Sequence, residues 1–511
     1  MSGNAPSLSA LDMDIRIETD PGLRQSLAIQ GVVPACVVSP GSPEEIALLL
    51  ALAADRGWVV ATSGGHTRQN AGGVPQRVDI LLRTNRLNAI EHYDPGDLTI
   101  GAGAGMTLAA LQATLARHNQ YLPLDPANPR QSTVGGILAS AAQGPLLAGF
   151  GGVREFCIGV KFVTAAGRQA KGGGRVVKNV AGYDLMKLMI GSHGTLGVLT
   201  SASFKVFPRP RQTRTYVATF ESPQKVMKYR NWLMQSGLAW LCFEAISPPA
   251  REYLCSPPEV RDVEEFEPAG VFSPRGPFDG ASTPASVDSV PPLAGSPAGA
   301  AALGGALPAS PPAALAATTA SASALAAPPR LRQDKNWKVL LQVAGSEAIF
   351  KRYEHELSRE VEHLEGAAEI EMWQWIQNFE NAVVARHQNA MIIEVSIPLA
   401  AVGRTFAAAE NSALHQNFFA ASIGRLTEGR LICAMIPLAV DPPPAMQYAA
   451  AVSELRGLLP PESSARVVYC PKEAKTHFDI WGAPVTDLEA MKAVKQALDP
   501  KNILNRGRFL I

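Results

Sequence analysis

Three stretches place groups able to do chemistry beside glycines that expose the backbone. The first is Ser63-Gly64-Gly65-His66-Thr67-Arg68-Gln69-Asn70-Ala71-Gly72-Gly73. A loop of this composition can curl its peptide N–H groups into a concave anion site, with Arg68 beside it to add charge, and a pyrophosphate is its natural guest. His66 within it has two readings, a hydrogen-bonding group and a reactive one, and the first is the commoner fate of a loop histidine. The second stretch, Ser132-Thr133-Val-Gly135-Gly136-Ile-Leu-Ala-Ser140-Ala-Ala-Gln143-Gly144, has small residues at nearly every turn. It reads either as a tightly packed core helix or as a surface on which a ligand lies directly, bonded by Thr133 and Ser140. The third runs from Gly172 to Thr200 with glycines at 172, 173, 174, 182, 191, 194 and 197, a density that ordinary helices and strands do not tolerate. Lys178, Asn179, Tyr183, Asp184, Ser192, His193 and Thr195 stand between them, so this stretch is either a turn cluster or a ligand site.

The elements that must hold these stretches follow from capping and periodicity. Pro34 to Val38 reads as a strand, and Ser42-Pro43-Glu44-Glu45 offers an N-cap, a first-turn proline and a capping-box glutamate for a helix to Arg56. Gly57 stops that helix, Trp58 to Thr62 is the next strand, and this β–α–β unit delivers the chain into the first loop. Strands follow at Val78–Leu82, Ala89–Tyr93 and Leu98–Ala102, then a helix capped by Thr107 and running through His118. Gly101-Ala-Gly103-Ala-Gly105-Met106 lacks the third glycine of the Rossmann fingerprint, where Met106 stands, so it reads as a tight strand-to-helix turn and NAD is rejected. Glu155–Thr164 and Arg168–Lys171 form a hairpin, and Pro208-Arg209-Pro210-Arg211 closes the domain.

With 511 residues, 47% of them hydrophobic, the chain has material for two or three domains. Lys and Arg (46) balance Asp and Glu (45), which argues against a nucleic-acid surface or a polybasic membrane arm. Cys36, Cys157, Cys242, Cys255, Cys433 and Cys470 form no C-x-x-C pair, so neither a metal site nor a cysteine-ligated cluster of this chain's own is expected. No apolar run reaches transmembrane length and no leader pattern opens the sequence, so the expected location is cytoplasmic.

Together these stretches resemble FAD-binding domains of the vanillyl-alcohol-oxidase (PCMH-type) superfamily. The resemblance rests on the loop 63–73, on Thr133-Val-Gly135-Gly136, and on Lys178-Asn-Val-Ala-Gly-Tyr-Asp184 with Gly191-Ser-His-Gly-Thr-Leu-Gly-Val-Leu-Thr200. The terminal Leu498-Asp-Pro500-Lys-Asn-Ile-Leu-Asn505-Arg-Gly507-Arg-Phe509 completes it. Within the superfamily the third stretch is most similar to an FAD-binding subunit of glycolate oxidases. The resemblance implies FAD as cofactor, its pyrophosphate cradled by Gly64, Gly65, His66, Thr67 and Asn70. It implies that Pro126, Thr133, Gly135, Gly136 and Ser140 line the flavin and ribityl chain, while Gly197 and Val198 close over the adenine side. Some members tether FAD through a histidine in such a Gly-Gly-His loop, whereas chains like this glycolate oxidase component bind it without a bond, which makes His66 a candidate tether.

The implied fold class is α+β: a 1–30 extension, a PCMH-type two-subdomain FAD-binding domain at 31–211, and a cap over 212–511 whose end returns to the FAD domain. From Thr213 the pattern changes to two β–α–β halves. These are strand 216–220, helix 222–235 and strand 239–245, then strand 338–343, helix 347–364 and strand 368–372, which together suggest a ferredoxin-like cap. Further strands at 391–398 and 431–437 extend it. The stretch 256–330, uncharged from Ser289 to Pro329 and nearly all Ala, Pro, Ser, Gly, Leu and Thr, reads as a disordered insertion. Lys472, Lys475, His477, Arg506 and Arg508 can each neutralise a carboxylate or move a proton, and each is equally ordinary as a surface charge.

By resemblance the chain is the FAD-binding subunit of a glycolate oxidase or dehydrogenase complex that turns a small 2-hydroxy acid such as glycolate into the 2-oxo acid. Its partners are then a second FAD-binding glycolate oxidase subunit and an iron–sulfur subunit, through which it can associate peripherally with the inner membrane. Two rival readings stand beside this one, a self-sufficient FAD hydroxy-acid or alcohol oxidase and a flavin-binding scaffold without turnover.

Overall fold

Local signals place the first elements. Ser42 Oγ accepts from Glu45 N–H at 3.1 Å while Glu45 Oε2 accepts from Gly41 N–H at 2.6 Å, a reciprocal cap that starts the helix Pro43–Arg56. Gly57, at φ +65°, ends it. Ile46, Leu49, Leu50 and Ala53 form its buried stripe and pack on a four-stranded sheet ordered Arg16–Glu18, Cys36–Ser39, Ile80–Arg83, Val60–Ser63. The last three strands are parallel, and the chain end adds a short parallel bridge, Leu504 to Val60, at the free edge. The computed structural model describes residues 15–175, 184–254, 335–357, 361–439, 441–482 and 487–510. Lys178, Asn179, Tyr183, Cys255 and the whole of 256–330 therefore lie outside the described residues.

A second sheet is antiparallel throughout, ordered Ile90–Asp94, Thr99–Gly103, Val198–Lys205, Cys157–Val163, Gln169–Gly173. Its core takes Leu108, Leu111 and Leu115 from the helix Leu108–Ala116, and Val134, Ile137 and Leu138 from the helix Val134–Ser140. These two sheet units are the two subdomains that the PCMH-type resemblance implies. The turn at 101–106 is as tight as expected: a Cβ on Gly105 would lie 1.9 Å from Thr84 O, and one on Gly103 2.2 Å from Leu87 O.

The cap is a single eight-stranded antiparallel sheet, ordered Glu362–Leu364, Thr213–Phe220, Trp337–Ala344, Cys242–Ile246, Phe418–Arg425, Arg430–Pro437, Met391–Ser396, Ser464–Tyr469. Numbered along the chain, the first four strands run 4-1-3-2 and the last four 2-3-1-4, so the cap is two ferredoxin-like units joined edge to edge through Cys242–Ile246 and Phe418–Arg425. Four crossover helices, Pro223–Gln235, Glu347–Glu356, Val402–His415 and Ala445–Leu458, bury Leu233, Phe350, Phe406 and Tyr448 on one face of the sheet. The helices Gly366–Gln377 and Phe379–Arg386 bury Trp373, Trp375, Ile376 and Val383 on the other. The stretch 368–372 read as a strand therefore belongs to a helix, and the edge strand of that unit is Glu362–Leu364. No helix among the described residues is long and apolar enough to cross a membrane.

Candidate functional site

The strand Val60–Ser63 ends at an open cleft. The loop after that strand forms one wall, the helix Val134–Ser140 the floor, residues 193–199 a second wall, and Asn505 and Arg508 of the chain end a third. Of the residues implied by resemblance, Gly64, Thr67, Gly135, Gly136, Ser140, Gly197 and Val198 line this one cleft. Asn70 lines a second cleft that shares Thr67 and Arg68 with the first. Gly65, His66, Pro126 and Thr133 line neither cleft.

Those four have supporting places. Thr133 Oγ1 caps the helix by accepting from Gly136 N–H at 3.3 Å, and it stands 2.0 Å from where a Gly64 Cβ would be. A Cβ on Gly65 would fall 1.7 Å from the carbonyl oxygen of Gln131, so loop and helix entrance approach to backbone contact. Pro126 follows Asp125, whose carboxylate accepts from Leu146 N–H at 3.0 Å and ties that loop to the far end of the small-residue helix. His66 sits at φ +58° with Nδ1 3.3 Å from Ser63 Oγ. Burial holds its ring down at about 4, from the usual 6.5, so it is neutral near pH 7. Since His66 is not part of the cleft wall, we expect acid precipitation of the flavoprotein to leave the flavin in the supernatant. Flavin fluorescence migrating with the denatured chain would show the opposite.

The loop is shaped for an anion. Among the described residues no acceptor is recorded for the peptide N–H groups of residues 64 to 67, and the left-handed turn at His66 lets successive N–H groups converge. Among the described residues the ionisable groups of the cleft wall are Arg68, His193 and Arg508, with no carboxylate lining it. Arg508 is buried, and that burial lowers it to about 10, still cationic at neutral pH. Burial, followed by the nearby Arg466, Arg508 and Arg68, holds His193 at about 3. Its ring is wedged between Phe509, stacked at 5.3 Å, and Trp481, edge-on at 5.0 Å. Unpaired amides, cationic walls and glycines open to the cavity suit a dinucleotide with a pyrophosphate, which is the fit that FAD requires.

The chain end is built to reach this cleft. Asn505 Nδ2 donates to Thr62 Oγ1 at 2.8 Å and His193 O at 2.9 Å, and its Oδ1 accepts from Thr62 N–H at 3.1 Å. Gly194 permits that approach, since a Cβ there would lie 2.5 Å from Asn505 Nδ2. Arg508 donates to Gly73 O at 3.2 Å. Lys475, a sequence candidate, is buried and donates to Gly72 O at 3.2 Å and to Asn70 O, so it clamps the loop; burial lowers it to about 8. Lys472, His477 and Arg506 are exposed on the surface. Asn505 is the residue that reasoning on side-chain types missed, although it stands within the quoted terminal motif.

Cap and FAD-binding subdomains meet through polar groups. Asn128 N–H donates to Asn378 Oδ1 at 3.2 Å, and Arg425 Nη2 donates to Gln143 O at 3.2 Å. Arg425 also lies 3.5 Å from Glu244, a buried carboxyl that desolvation pushes up to about 8 while Arg425 pulls it down.

Comparison with known proteins bears on this geometry. Residues 34–173 match a family described as FAD binding domain, and residues 483–509 match the C-terminal domain of FAD linked oxidases. The chain is 39% identical over 156 residues to glycolate oxidase subunit GlcE of Escherichia coli, covering 30% of this chain and 45% of that protein. It is 32% identical over 212 residues to a D-lactate dehydrogenase of Archaeoglobus fulgidus, covering 42% and 47%. The chain thus spans under half the length of these two relatives. A solved structure of alkyldihydroxyacetonephosphate synthase shares the fold, with TM-score 0.62 at 14% identity over 96% of this chain and 83% of that one. The matches at 34–173 and 483–509 are both to FAD-binding families, and the cofactor of this chain is FAD.

Proposed function

We propose that this chain is the FAD-bearing subunit of an oxidase or dehydrogenase that converts a small 2-hydroxy acid such as glycolate into the 2-oxo acid. The observation that carries the reading is the cleft itself, with unpaired loop amides and no lining carboxylate among the described residues, in a chain 39% identical to a glycolate oxidase subunit over 156 residues. The loop N–H groups of Gly64 and Thr67 hold the pyrophosphate, with Gly65 and His66 shaping the turn between them, Gly135, Gly136 and Ser140 give the flavin a close floor, and Gly197 with Val198 covers the adenine. Asn505 ties Thr62 to His193 and Arg508 holds Gly73 of the loop from the third wall, and the neutral ring of His193 with Phe509 and Trp481 keeps water from that side. When bound, FAD supplies a two-electron acceptor; the protein supplies orientation, a cationic field and exclusion of solvent.

The name of its Escherichia coli relative, which describes one component of an oxidase, supports a complex in which electrons leave through another chain. This sequence has no C-x-x-C pair for an iron–sulfur cluster, so the reading assigns that cluster to a partner and a further FAD-binding subunit to the assembly. The test is anaerobic mixing of the purified flavoprotein with glycolate, D-lactate and D-2-hydroxyglutarate. Bleaching of the flavin by at least one of them is expected. A fully loaded flavin that none of the three bleaches contradicts turnover by this chain and favours the scaffold. Rapid reoxidation by oxygen in a monomer that purifies without an iron–sulfur protein favours the self-sufficient oxidase.

A further inference from the structure

The second cleft carries a pair of charges that the first does not. Its walls include Arg68 and Asn70 from the pyrophosphate loop, Asn128, and Glu380 with Asn381 from the cap helix Phe379–Arg386. Arg68 lines both clefts, so whatever it holds in the second lies beside the contents of the first.

Arg68 has charge to spare. Its nearest recorded acid is Glu394, but Nη1 stands 3.9 Å from that carboxylate. Glu394 is already neutralised by Arg466, whose Nε donates at 2.9 Å and whose Nη2 also donates, and with Arg466 and Arg68 beside it Glu394 stays ionised at neutral pH, at about 2. Glu380 faces the same space without a recorded hydrogen bond or ion pair among the described residues. Burial raises its carboxyl, Arg68 opposes that rise and Glu394 adds to it, so Glu380 and Arg68 feel each other across the cleft without touching. A guanidinium with an unfilled coordination face and an unpartnered carboxyl, set apart across a cleft, form a complementary pair for a molecule carrying a carboxylate beside a hydroxyl.

We propose that the second cleft is the 2-hydroxy acid site, in which Arg68 anchors the substrate carboxylate and Glu380 hydrogen-bonds its 2-hydroxyl. This rests on the hydroxy-acid reading above and adds two specificity-determining residues to it. The guanidinium fork selects carboxylates over alcohols, and Glu380 selects the hydroxy acid over its deoxy analogue.

The test is a binding measurement on the FAD-loaded chain with 2-hydroxyisobutyrate, which keeps both groups but has no α-hydrogen to lose, and with isobutyrate, which lacks the hydroxyl. Calorimetric titration should give wild type a preference of about tenfold for the hydroxy acid, the worth of one buried hydrogen bond. Arg68→Met should weaken both ligands by about 10- to 100-fold, and Arg68→Lys, which keeps the charge but not the fork, should fall between. Glu380→Leu should weaken 2-hydroxyisobutyrate alone and erase the preference, and Glu380→Gln should restore part of it. Melting temperature and far-ultraviolet circular dichroism of each variant report whether it has folded, and titrations use chains saturated with added FAD. Arg68→Met or Arg68→Lys that folds and binds as wild type, or Glu380→Leu that weakens both ligands equally, overturns the proposal. If instead wild type binds 2-hydroxyisobutyrate with these preferences but no 2-hydroxy acid bleaches the flavin, the function reading fails while the site stands.

Discussion

Replacing Gly65 by alanine is expected to empty the cofactor cleft. The added methyl would sit 1.7 Å from the carbonyl oxygen of Gln131 and 2.6 Å from its carbon, closer than any non-bonded contact allows. Neither atom can retreat, because Gln131 N–H donates to Asn128 O at 2.9 Å and Ser132 N–H donates to the same oxygen at 2.8 Å. Ser132 Oγ adds a bond to Ala127 O at 2.8 Å. The loop must therefore lift, and the N–H groups of residues 64 to 67 lose their common aim. Overpacking of this kind costs about 1–3 kcal/mol. If that falls on the bound state, FAD binds about 10- to 100-fold more weakly. Purified Gly65→Ala should carry about a tenth or less of the wild-type flavin, read from absorbance against protein. Gly57→Ala is the control: its Cβ would meet nothing within 4 Å, so it should lose about 1 kcal/mol of stability from its left-handed backbone and keep its flavin. A Gly65→Ala chain with full flavin content would show that the loop does not hold the cofactor.

Asp499→Ala should be the most destabilising single change in the chain end. Its buried carboxylate accepts from Ile503 N–H at 3.0 Å, Leu504 N–H at 2.8 Å and Lys495 Nζ at 2.6 Å. Lys495 is itself buried; desolvation lowers its pKa and the bond to Asp499 opposes that fall. Removing one partner of such a pair costs about 3–5 kcal/mol, because the other charge stays buried and unpaired. In a protein of this size that is a fall in melting temperature of about 3–5 °C. The same turn carries Leu504 to the sheet edge and Asn505 to Thr62 and His193, so flavin release should accompany the loss. Asp499→Asn, which keeps an acceptor for one N–H, should lie between. A melting temperature within about 2 °C of wild type would show that the pair does not organise the strap.

What the sequence made legible was mostly local. Ser42, Gly57 and Thr107 announce helix ends because a cap is decided within a few residues, and each occupies that place. The small-residue stretch at 132–144 left open a packed helix or a ligand floor; the structure packs Val134 and Leu138 in the core and sets Gly136, Ile137 and Ser140 along the cleft. Distant pairings were harder to see. The strand Phe418–Arg425 runs through Ala420, Ala421 and Ser422, poor strand formers held by neighbours on both sides. The alternation at 368–372 suggested a strand, but the larger pattern of Trp373, Trp375 and Ile376 belongs to a helix laid on the cap sheet. Asn505 meets Thr62 across 443 residues of chain, a contact that no local pattern encodes. Arg68 was read only as charge beside the loop, since the carboxylates that surround it come from the far half of the chain.

The most direct test of the account is a structure of the chain with FAD bound. The pyrophosphate should lie against the loop N–H groups of Gly64 and Thr67, with the adenine toward Gly197 and Val198, the flavin along Gly135 to Ser140, and one flavin face turned to the cleft that Arg68 and Glu380 share. FAD placed outside this cleft, or a pyrophosphate held by other groups while the loop stands empty, would contradict it.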